Sequence, residues 1–260
     1  MKDLFSIKGK VALVTGGSRG IGEMIAAGFL ASGAKVYISS RKAEVCDATA
    51  ERLTNEYGGE CISLPSDLSN LEGIDSLVSE LSNKESHLDV LINNAGAAWG
   101  APLDEYPENG WDKVMDTNVK GVFFLTQKLL PLLREGTKND PSRVVNIGSI
   151  DGLSAGAFEN YAYGPSKAAL HHLTRILAAT LIKEKIIVNA IAPGPFPTWM
   201  LSTGVGFGGE TDVDWSQVGE GNPSGRVGDM EDIAGLAIFL CSRASEYTVC
   251  LLYTSPSPRD

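Results

Sequence analysis

The feature that most constrains the fold is a regular alternation of short apolar segments with longer helical ones. Strand candidates rich in β-branched residues lie at 11–15, 35–40, 61–64, 90–93, 144–147 and 186–191. Helical patterns lie between them, at 21–31, 43–57, 74–81, 111–133 and 168–182. This spacing predicts right-handed βαβ units and one parallel sheet. Because the strands are apolar throughout, we expect a doubly wound α/β sheet with helices on both faces.

Length and charge limit the classes of function. The chain has 260 residues and no visible interdomain linker, so it is predicted to form a single domain. Its apolar runs are much shorter than the ~20 residues of a membrane span, and no signal-peptide core follows Met1, so we expect a cytoplasmic protein without a membrane partner. A net charge of −10 argues against a nucleic-acid partner. Its 4 cysteines include no C-x-x-C pair, so no metal site is predicted.

A glycine-rich turn joins the first strand candidate to the first helix. Residues 15–22 read Thr-Gly-Gly-Ser-Arg-Gly-Ile-Gly, so that Gly16, Gly20 and Gly22 form a T-G-x-x-x-G-x-G pattern. Glycines at such a turn let the backbone approach a pyrophosphate, and the helix N-terminus offers free N–H donors. A tight turn without a ligand is the alternative, but the position between a strand and a helix favours a dinucleotide site.

The end of the second strand candidate indicates which dinucleotide is preferred. About 20 residues after its glycines, an NAD site usually places an acidic residue that binds the ribose 2′-hydroxyl. Here the corresponding positions are Ser40 and Arg41, and the first acid is Glu44. A cation at this place suits a 2′-phosphate, and Arg19 in the glycine turn could join it. The sequence therefore favours NADP(H) over NAD(H), unless Arg41 and Lys42 only solvate the start of a helix.

Tyr163 and Lys167 form a candidate acid/base pair. They lie four residues apart in a helical pattern, so they share one helix face. A free tyrosine has a pKa of about 10, and a neighbouring ammonium is expected to lower that pKa towards a range useful near neutrality. Tyr161 has no such partner, because position 165 is proline. A tyrosine and a lysine at this spacing are common on surface helices, so the pair alone does not define a function.

Together with further motifs, these features resemble the short-chain dehydrogenase/reductase family over roughly residues 6–249. The further motifs are Asn93-Asn94-Ala95-Gly96 after the fourth strand candidate, Asn118, Ser149 after the fifth, and Pro193-Gly194 after the sixth. The resemblance implies a Rossmann-type fold and an oxidoreductase that transfers a hydride. Segments 161–170 and 192–197 are most similar to the 3-oxoacyl reductases of rhamnolipid biosynthesis.

The resemblance also implies roles for individual residues. Ser149 would hydrogen-bond the substrate carbonyl, Tyr163 would donate the proton, and Lys167 would also bind the nicotinamide ribose. Asn118 would hold a water that links Lys167 to solvent; helix capping is the alternative for Ser149 and Asn118. Asp67 would contact the adenine and Thr198 the carboxamide or the phosphates. The full set of implied cofactor-binding residues is Gly16, Ser18, Arg19, Gly20, Ile21, Gly22, Arg41, Asp67, Leu68, Asn93, Ala95, Gly96, Tyr163, Lys167, Pro193, Gly194 and Thr198.

The substrate is less constrained than the chemistry. The resemblance implies NADPH-dependent reduction of a ketone, with a 3-oxoacyl thioester as the first candidate. A dehydrogenase or reductase of a sugar, polyol or other small alcohol is the second reading, and a cofactor-binding protein without turnover is the third. Substrate choice would depend on the irregular segment 193–229, and on residues 150–160, which follow Ser149 and stand one residue longer than in many relatives.

Other residues are interpreted from position alone. Relatives pair their subunits through the helices that carry Asn118 and Lys167, so we expect a homodimer or homotetramer. His171 and His172 are interpreted as helix-surface or interface residues. Three tryptophans could wall an apolar substrate pocket or pack in the core, namely Trp99, Trp199 and Trp215.

The last residues depart from the family pattern. After Val249 the family would place a glycine, a seventh strand and a V-D-G-G turn, whereas this chain ends in a segment that contains Ser-Pro-Ser-Pro. Proline donates no hydrogen bond to a sheet ladder. Residues 250–260 also resemble the translation of a sequencing-library adapter. We therefore predict a reductase domain at 1–249, a non-native tail at 250–260 and a missing seventh strand.

Overall fold

One parallel sheet forms the centre of the molecule in a computed structural model that describes residues 3–137, 140–154, 159–205 and 213–254. Its strands lie in the order β3-β2-β1-β4-β5-β6-β7. They are β1 (Val11–Thr15), β2 (Lys35–Ser39), β3 (Cys61–Ser63), β4 (Val90–Asn93), β5 (Ser142–Ile147), β6 (Ile186–Ala192) and β7 (Leu252–Thr254). The order reverses between β1 and β4, and in such sheets ligands bind at the carboxyl ends of the strands beside this reversal.

Helices cover both faces of the sheet, as the sequence predicts. They are α1 (Gly20–Ala31), α2 (Ala43–Tyr57), α3 (Leu71–Lys84), α4 (Glu108–Met115), α5 (Gly121–Gly136), α6 (Tyr163–Leu181), α7 (Trp215–Glu220) and α8 (Met230–Cys241). Alternate residues of β1 serve the two cores: Ala12 and Val14 pack with α1, α2 and α8, whereas Val11 and Leu13 pack with α3, α5 and α6. The predicted doubly wound architecture is therefore confirmed.

Two helical features differ from the prediction. The helix expected at 111–133 is divided by a π-helical turn, Asp116–Lys120, which lies between α4 and α5 and contains Asn118. The sequence pattern also missed α8, although Asp229 and Asp232 form a capping box at its start. Within the described residues, no helix combines the length and apolar character that a bilayer span requires.

The prediction that the seventh strand is missing is wrong. β7 pairs in parallel with β6, and Ala190 lies opposite Leu252. The side chain of Asn189 on β6 fixes the backbone just before β7. Its Oδ1 accepts from Leu251 N at 2.8 Å, and its Nδ2 donates to Thr248 O at 2.8 Å. The short strand precedes the prolines, so its backbone donors remain available to the ladder. Residues 255–260 lie outside the described part of the chain, and the foreign origin of 250–260 stays a prediction.

Candidate active site

A cavity of about 810 Å³ opens at the carboxyl ends of the strands beside the reversal of strand order. Most of the residues predicted to bind a cofactor or to act in catalysis line it. These are Gly16, Ser18, Arg19, Gly20, Ile21, Arg41, Asp67, Leu68, Ala95, Gly96, Ser149, Tyr163, Lys167, Pro193, Gly194 and Thr198. Gly22, Asn93 and Asn118 are not on its wall.

Ser149, Tyr163 and Lys167 meet on one side of this cavity. Ser149 follows β5 and caps a short 3-10 turn, with its Oγ accepting from Asp151 N at 3.2 Å. Tyr163 is the first residue of α6, and Lys167 lies one turn further along the same helix. The Lys167 Nζ donates to Ile147 O at 2.8 Å and lies 5.6 Å from the centroid of the Tyr163 ring. The strand end and the helix start thus bring together three groups that can exchange protons.

Burial dominates the protonation of Tyr163 in this structure. Loss of hydration raises its pKa to about 12; a hydrogen bond with Ser149 opposes this rise, and the negative charge of Asp151 adds to it. The expectation that Lys167 lowers this pKa is therefore wrong here, because burial of the phenol outweighs any effect of the ammonium. Tyr163 holds its proton at neutral pH and is suited to act as an acid.

Burial has the opposite effect on the lysine. Lys167 is 4% exposed, and the loss of hydration lowers its pKa to about 8. An ammonium with this pKa is mostly charged at pH 7 and can still release its proton close to neutrality. Tyr163 is therefore suited to donate a proton to a substrate, and the more acidic Lys167 ammonium is suited to replace that proton.

Asn118 lies behind the cavity wall and is fully buried. Its Oδ1 accepts from Ala97 N at 2.8 Å, and its Nδ2 donates to Ala97 O at 3.0 Å and to Ser166 Oγ at 2.9 Å. A Cβ added to Gly96 would lie 3.4 Å from Asn118 Oδ1 and 3.7 Å from Lys167 Nζ. Asn118 thus joins the loop after β4 to α6 beside Lys167, and its predicted role in holding a water stays a prediction.

The glycine turn has the shape that a pyrophosphate site requires. Gly16 and Gly20 have φ angles of 64° and 58°, a region that favours glycine. A Cβ on Gly22 would lie 2.3 Å from Gly16 O, so glycine at this position lets the first turn of α1 pack against the glycine turn. Gly22 itself does not line the cavity. The turn leads directly into α1, whose N-cap residue Arg19 makes no side-chain capping hydrogen bond and whose first two residues, Gly20 and Ile21, line the cavity. The residues present therefore fit a bound dinucleotide.

The sequence singled out Asn93, whereas Asn94 is the asparagine on the cavity wall. Asn94 Nδ2 donates to Thr15 O at 2.9 Å and to Gly16 O at 3.2 Å, which ties the loop after β4 to the glycine turn. Asn93 is 2% exposed and points into the core, where its Nδ2 donates to Asn146 Oδ1 at 2.9 Å. Successive strand residues face opposite sides, and this alternation could have identified Asn94.

The residues predicted to bind a 2′-phosphate line the cavity beside the end of β2. Arg19, Arg41 and Lys42 line it together with Ser39 and Ser40. Within the described residues, the buried hydroxyls of Ser39 and Ser40 have no hydrogen-bond partner. Two orphaned hydroxyls and three cations make this end suitable for an anion with several acceptor oxygens.

The segment after β6 closes against the glycine turn. A Cβ on Gly20 would lie 3.2 Å from Thr198 Cγ2, and the Arg19 guanidinium carbon lies 4.4 Å from the centroid of the Trp199 ring. Thr198 Oγ1 accepts from Leu201 N at 3.3 Å, so this hydroxyl caps a turn beside the cavity. The same segment supplies an apolar wall made of Phe196, Trp199, Met200 and Leu201. Of the three tryptophans that the sequence singled out, only Trp199 lies on this wall.

The fold and this arrangement of side chains define a class of enzyme: the chain belongs to the short-chain dehydrogenase/reductase family and is an oxidoreductase. A family profile described as "Enoyl-(Acyl carrier protein) reductase" matches residues 16–250. The rhamnolipids biosynthesis 3-oxoacyl-[acyl-carrier-protein] reductase of Pseudomonas aeruginosa is 49% identical over 248 residues, which cover 95% of this chain and 94% of that protein.

Two further relatives widen the comparison. The 5-keto-D-gluconate 5-reductase of Escherichia coli is 33% identical, over 95% of this chain and 94% of that protein. A solved structure described as "Pseudomonas aeruginosa RhlG/NADP active-site complex" superimposes with a TM-score of 0.89 at 47% identity, covering 98% of this chain and 97% of that one. Relatives at this coverage therefore include reductases of both 3-oxoacyl and sugar-acid substrates.

Proposed function

We propose that the protein reduces a ketone to a secondary alcohol with NADPH, and that its substrate is a 3-oxoacyl thioester. The observation that carries the proposal is that Ser149, Tyr163 and Lys167 line the same cavity as the glycine turn. A proton donor beside a dinucleotide site is what carbonyl reduction needs, because the substrate gains one hydride at carbon and one proton at oxygen.

When bound, the reduced nicotinamide supplies the hydride. Ser149 Oγ accepts from Asp151 N and hydrogen-bonds Tyr163, and its one hydroxyl hydrogen would turn to the substrate carbonyl oxygen when that oxygen lies between the two side chains. Tyr163 donates its phenolic proton to that oxygen as the C–O π bond breaks, which leaves a phenolate. Lys167 returns a proton to Tyr163, since its pKa of about 8 makes it the stronger acid of the two. Lys167 then regains its proton from solvent, through the water that Asn118 is expected to hold.

Charge near β2 supports NADPH over NADH. Arg41 and Lys42 line the cavity there with Arg19, and no carboxylate follows β2 before Glu44. Guanidinium groups bind a phosphate through charge-assisted hydrogen bonds, whereas a ribose hydroxyl is better served by a carboxylate acceptor. The solved Pseudomonas aeruginosa relative is a complex with NADP, which agrees with this preference.

The apolar wall supports an acyl substrate. Phe196, Trp199, Met200 and Leu201 line the same cavity as the catalytic groups, and Val218 of α7 adds to them. An acyl chain can bury its methylene groups against such a wall, whereas a sugar acid needs hydrogen-bond partners for each hydroxyl. The relative that is 49% identical is named as a 3-oxoacyl reductase.

A substrate panel separates the two candidate classes. Purified protein is mixed with NADPH and either 3-oxodecanoyl-CoA, acetoacetyl-CoA or 5-keto-D-gluconate, and loss of NADPH absorbance is followed. We expect kcat/KM for the longer thioester to exceed that for the sugar acid by at least about 100-fold, because several methylene groups are buried. Turnover of 5-keto-D-gluconate alone would assign the protein to the sugar class.

The Tyr163→Phe variant tests the mechanism. Removing the proton donor should lower kcat for ketone reduction by about 100-fold or more. Tyr161→Phe is the matched control, since Tyr161 lies two residues earlier and does not line the cavity. Wild-type kcat in the Tyr163→Phe variant would reject Tyr163 as the acid.

A further inference from the structure

The imidazole of His171 is a buried polar group that the proposed mechanism does not use. His171 lies one helical turn after Lys167 on α6 and is 4% exposed, whereas the adjacent His172 is exposed. The interpretation of both histidines as surface or interface residues is therefore wrong for His171. Within the described residues the buried Nδ1 of this ring has no hydrogen-bond partner, so the ring contacts the main chain through Nε2.

The His171 ring lies directly against the main chain that carries Ser149. A Cβ added to Gly148 would lie 2.0 Å from His171 Nε2, and one added to Gly152 would lie 2.8 Å from His171 Cε1. Glycine at both positions is therefore what allows the ring to approach. The ring fills the space beneath residues 148–152, between β5 and the start of the 3-10 turn.

His171 Nε2 accepts a hydrogen bond from Ser149 N at 3.5 Å. The contact requires an unprotonated Nε2. Burial and the positive charges of Lys167 and Arg175 lower the pKa of His171 to about 4, although a backbone hydrogen bond with Gly152 acts in the opposite direction. The imidazole is therefore neutral near pH 7, and Nε2 can carry a lone pair. On the other side of this turn, Ile150 N donates to Pro193 O at 3.3 Å.

We propose that His171 is a positioning residue whose Nε2 holds the Ser149 main chain in the orientation from which Ser149 Oγ reaches the substrate carbonyl oxygen. Without this acceptor the Ser149 N–H would be left without its partner beneath the turn. The hydroxyl would then sample other directions. The inference rests on the proposed role of Ser149 in ketone reduction, and it adds a group that acts on the reaction only through Ser149.

Two variants of similar size test whether His171 acts as a hydrogen-bond acceptor or only fills the space that its ring occupies. In His171→Gln an amide oxygen can occupy the place of Nε2, whereas His171→Met has similar length and no comparable acceptor. We expect kcat for ketone reduction to fall about tenfold in His171→Met and less than about threefold in His171→Gln. The NADPH dissociation constant should stay within about twofold in both. Equal losses of kcat in the two variants would reject the proposal.

A double-mutant cycle tests whether the effect passes through Ser149. His171→Met should lower kcat by less than about twofold when Ser149 is already alanine, because the positioned hydroxyl is absent. A tenfold loss in both backgrounds would instead indicate a general effect on the fold. Ser149→Ala measured alone tests the proposed function separately: wild-type kcat there would reject the role of Ser149 before His171 is considered.

The protonation of the His171 ring offers a test that leaves this residue unchanged. The chain has 3 histidines, so the ¹⁵N resonances of His171 can be assigned by comparison with a His172→Gln sample and a His87→Gln sample. At neutral pH we expect the shifts of a neutral ring protonated at Nδ1, with Nε2 unprotonated. A ring protonated at Nε2 could not accept the Ser149 N–H and would overturn the proposal.

Discussion

Two ionisable side chains at the candidate active site are shifted in directions that suit a proton relay. Burial raises the pKa of Tyr163 to about 12 and lowers that of Lys167 to about 8. The phenol therefore keeps its proton until a stronger base forms beside it. An alkoxide developing on the substrate is such a base, and the ammonium is the acid that restores the phenol. The sequence predicted the pair but not its burial, so the direction expected for the tyrosine was wrong.

The pH dependence of ketone reduction should report on Lys167. Because its pKa is lowered to about 8, the ammonium form is present below that pH and is lost as the pH rises. We expect kcat for reduction to fall above a pH of about 8, measured in steady state with saturating NADPH. In Lys167→Arg the guanidinium keeps its charge as the pH rises, so this limb should disappear even though kcat is lower. A limb unchanged in Lys167→Arg would assign it to another group.

Replacement of Arg41 by aspartate should reverse the cofactor preference. Arg41 lines the cavity with Ser39 and Ser40, whose hydroxyls have no hydrogen-bond partner among the described residues, and a carboxylate there would repel a phosphate and accept from a ribose hydroxyl. We expect Arg41→Asp to raise the dissociation constant of NADPH by about 10- to 100-fold relative to that of NADH. Fluorescence titration with both nucleotides measures the ratio. Arg243→Asp, an exposed change away from the cavity, is the control, and an unchanged ratio in Arg41→Asp would reject the 2′-phosphate site.

At the scale of single elements, the sequence predicts apolar strands well and polar ones poorly. β1 and β4 begin and end where their apolar runs predict. β5 begins two residues earlier than expected, because it includes Ser142 and the fully buried Arg143, whose Nη2 donates to Ser242 O at 3.2 Å. Such partners come from distant parts of the chain, so no local pattern indicates them. The short β7 depends in the same way on the Asn189 side chain.

A buried polar network joins the elements behind the active site. Asn146 on β5 accepts from Asn93 Nδ2 of β4 at 2.9 Å and donates from its Nδ2 to Thr174 Oγ1 of α6 at 2.9 Å. Asn93 Nδ2 also donates to Thr126 Oγ1 of α5 at 3.2 Å. All four side chains are at most 2% exposed. The network fixes α6, which carries Tyr163 and Lys167, relative to β5, the strand that precedes Ser149.

Asn146→Ala should therefore destabilise the fold. The change removes both hydrogen bonds and leaves a small cavity, so we expect the free energy of unfolding to fall by about 2–4 kcal/mol. Urea titration followed by circular dichroism gives this value. Asn55→Ala, at an exposed position of α2, is the matched control and should change the unfolding free energy by less than about 0.5 kcal/mol. A loss at Asn146 no larger than this would mean that water replaces the network.

At the scale of the whole molecule, the two hydrophobic cores and the cavity depend on different features of the sequence. Alternation along each strand is enough to build a core on both faces of the sheet, and the sequence carries that pattern plainly. The cavity instead depends on segments that follow strands and meet only after folding, such as the glycine turn and the segment after β6. Motif spacing predicted the residues on the first of these, whereas the contact between Arg19 and Trp199 could be seen only in three dimensions.

The surface of α5 and α6 bears on the expected oligomer. Ile176 on α6 is 51% exposed, and the half-buried Phe123 and Phe124 lie on α5 with their ring centroids 5.2 Å apart. Burial of such apolar surface against a second copy would be favourable. We expect the wild-type protein to sediment as a dimer or tetramer, and Ile176→Glu to raise the dissociation constant by at least about 100-fold, because a carboxylate would lose its hydration in the interface. Leu71→Glu is the control, because Leu71 is the exposed first residue of α3, and this change should leave the sedimentation unchanged. A monomeric wild-type protein, or an Ile176→Glu variant of unchanged mass, would contradict an interface on these helices.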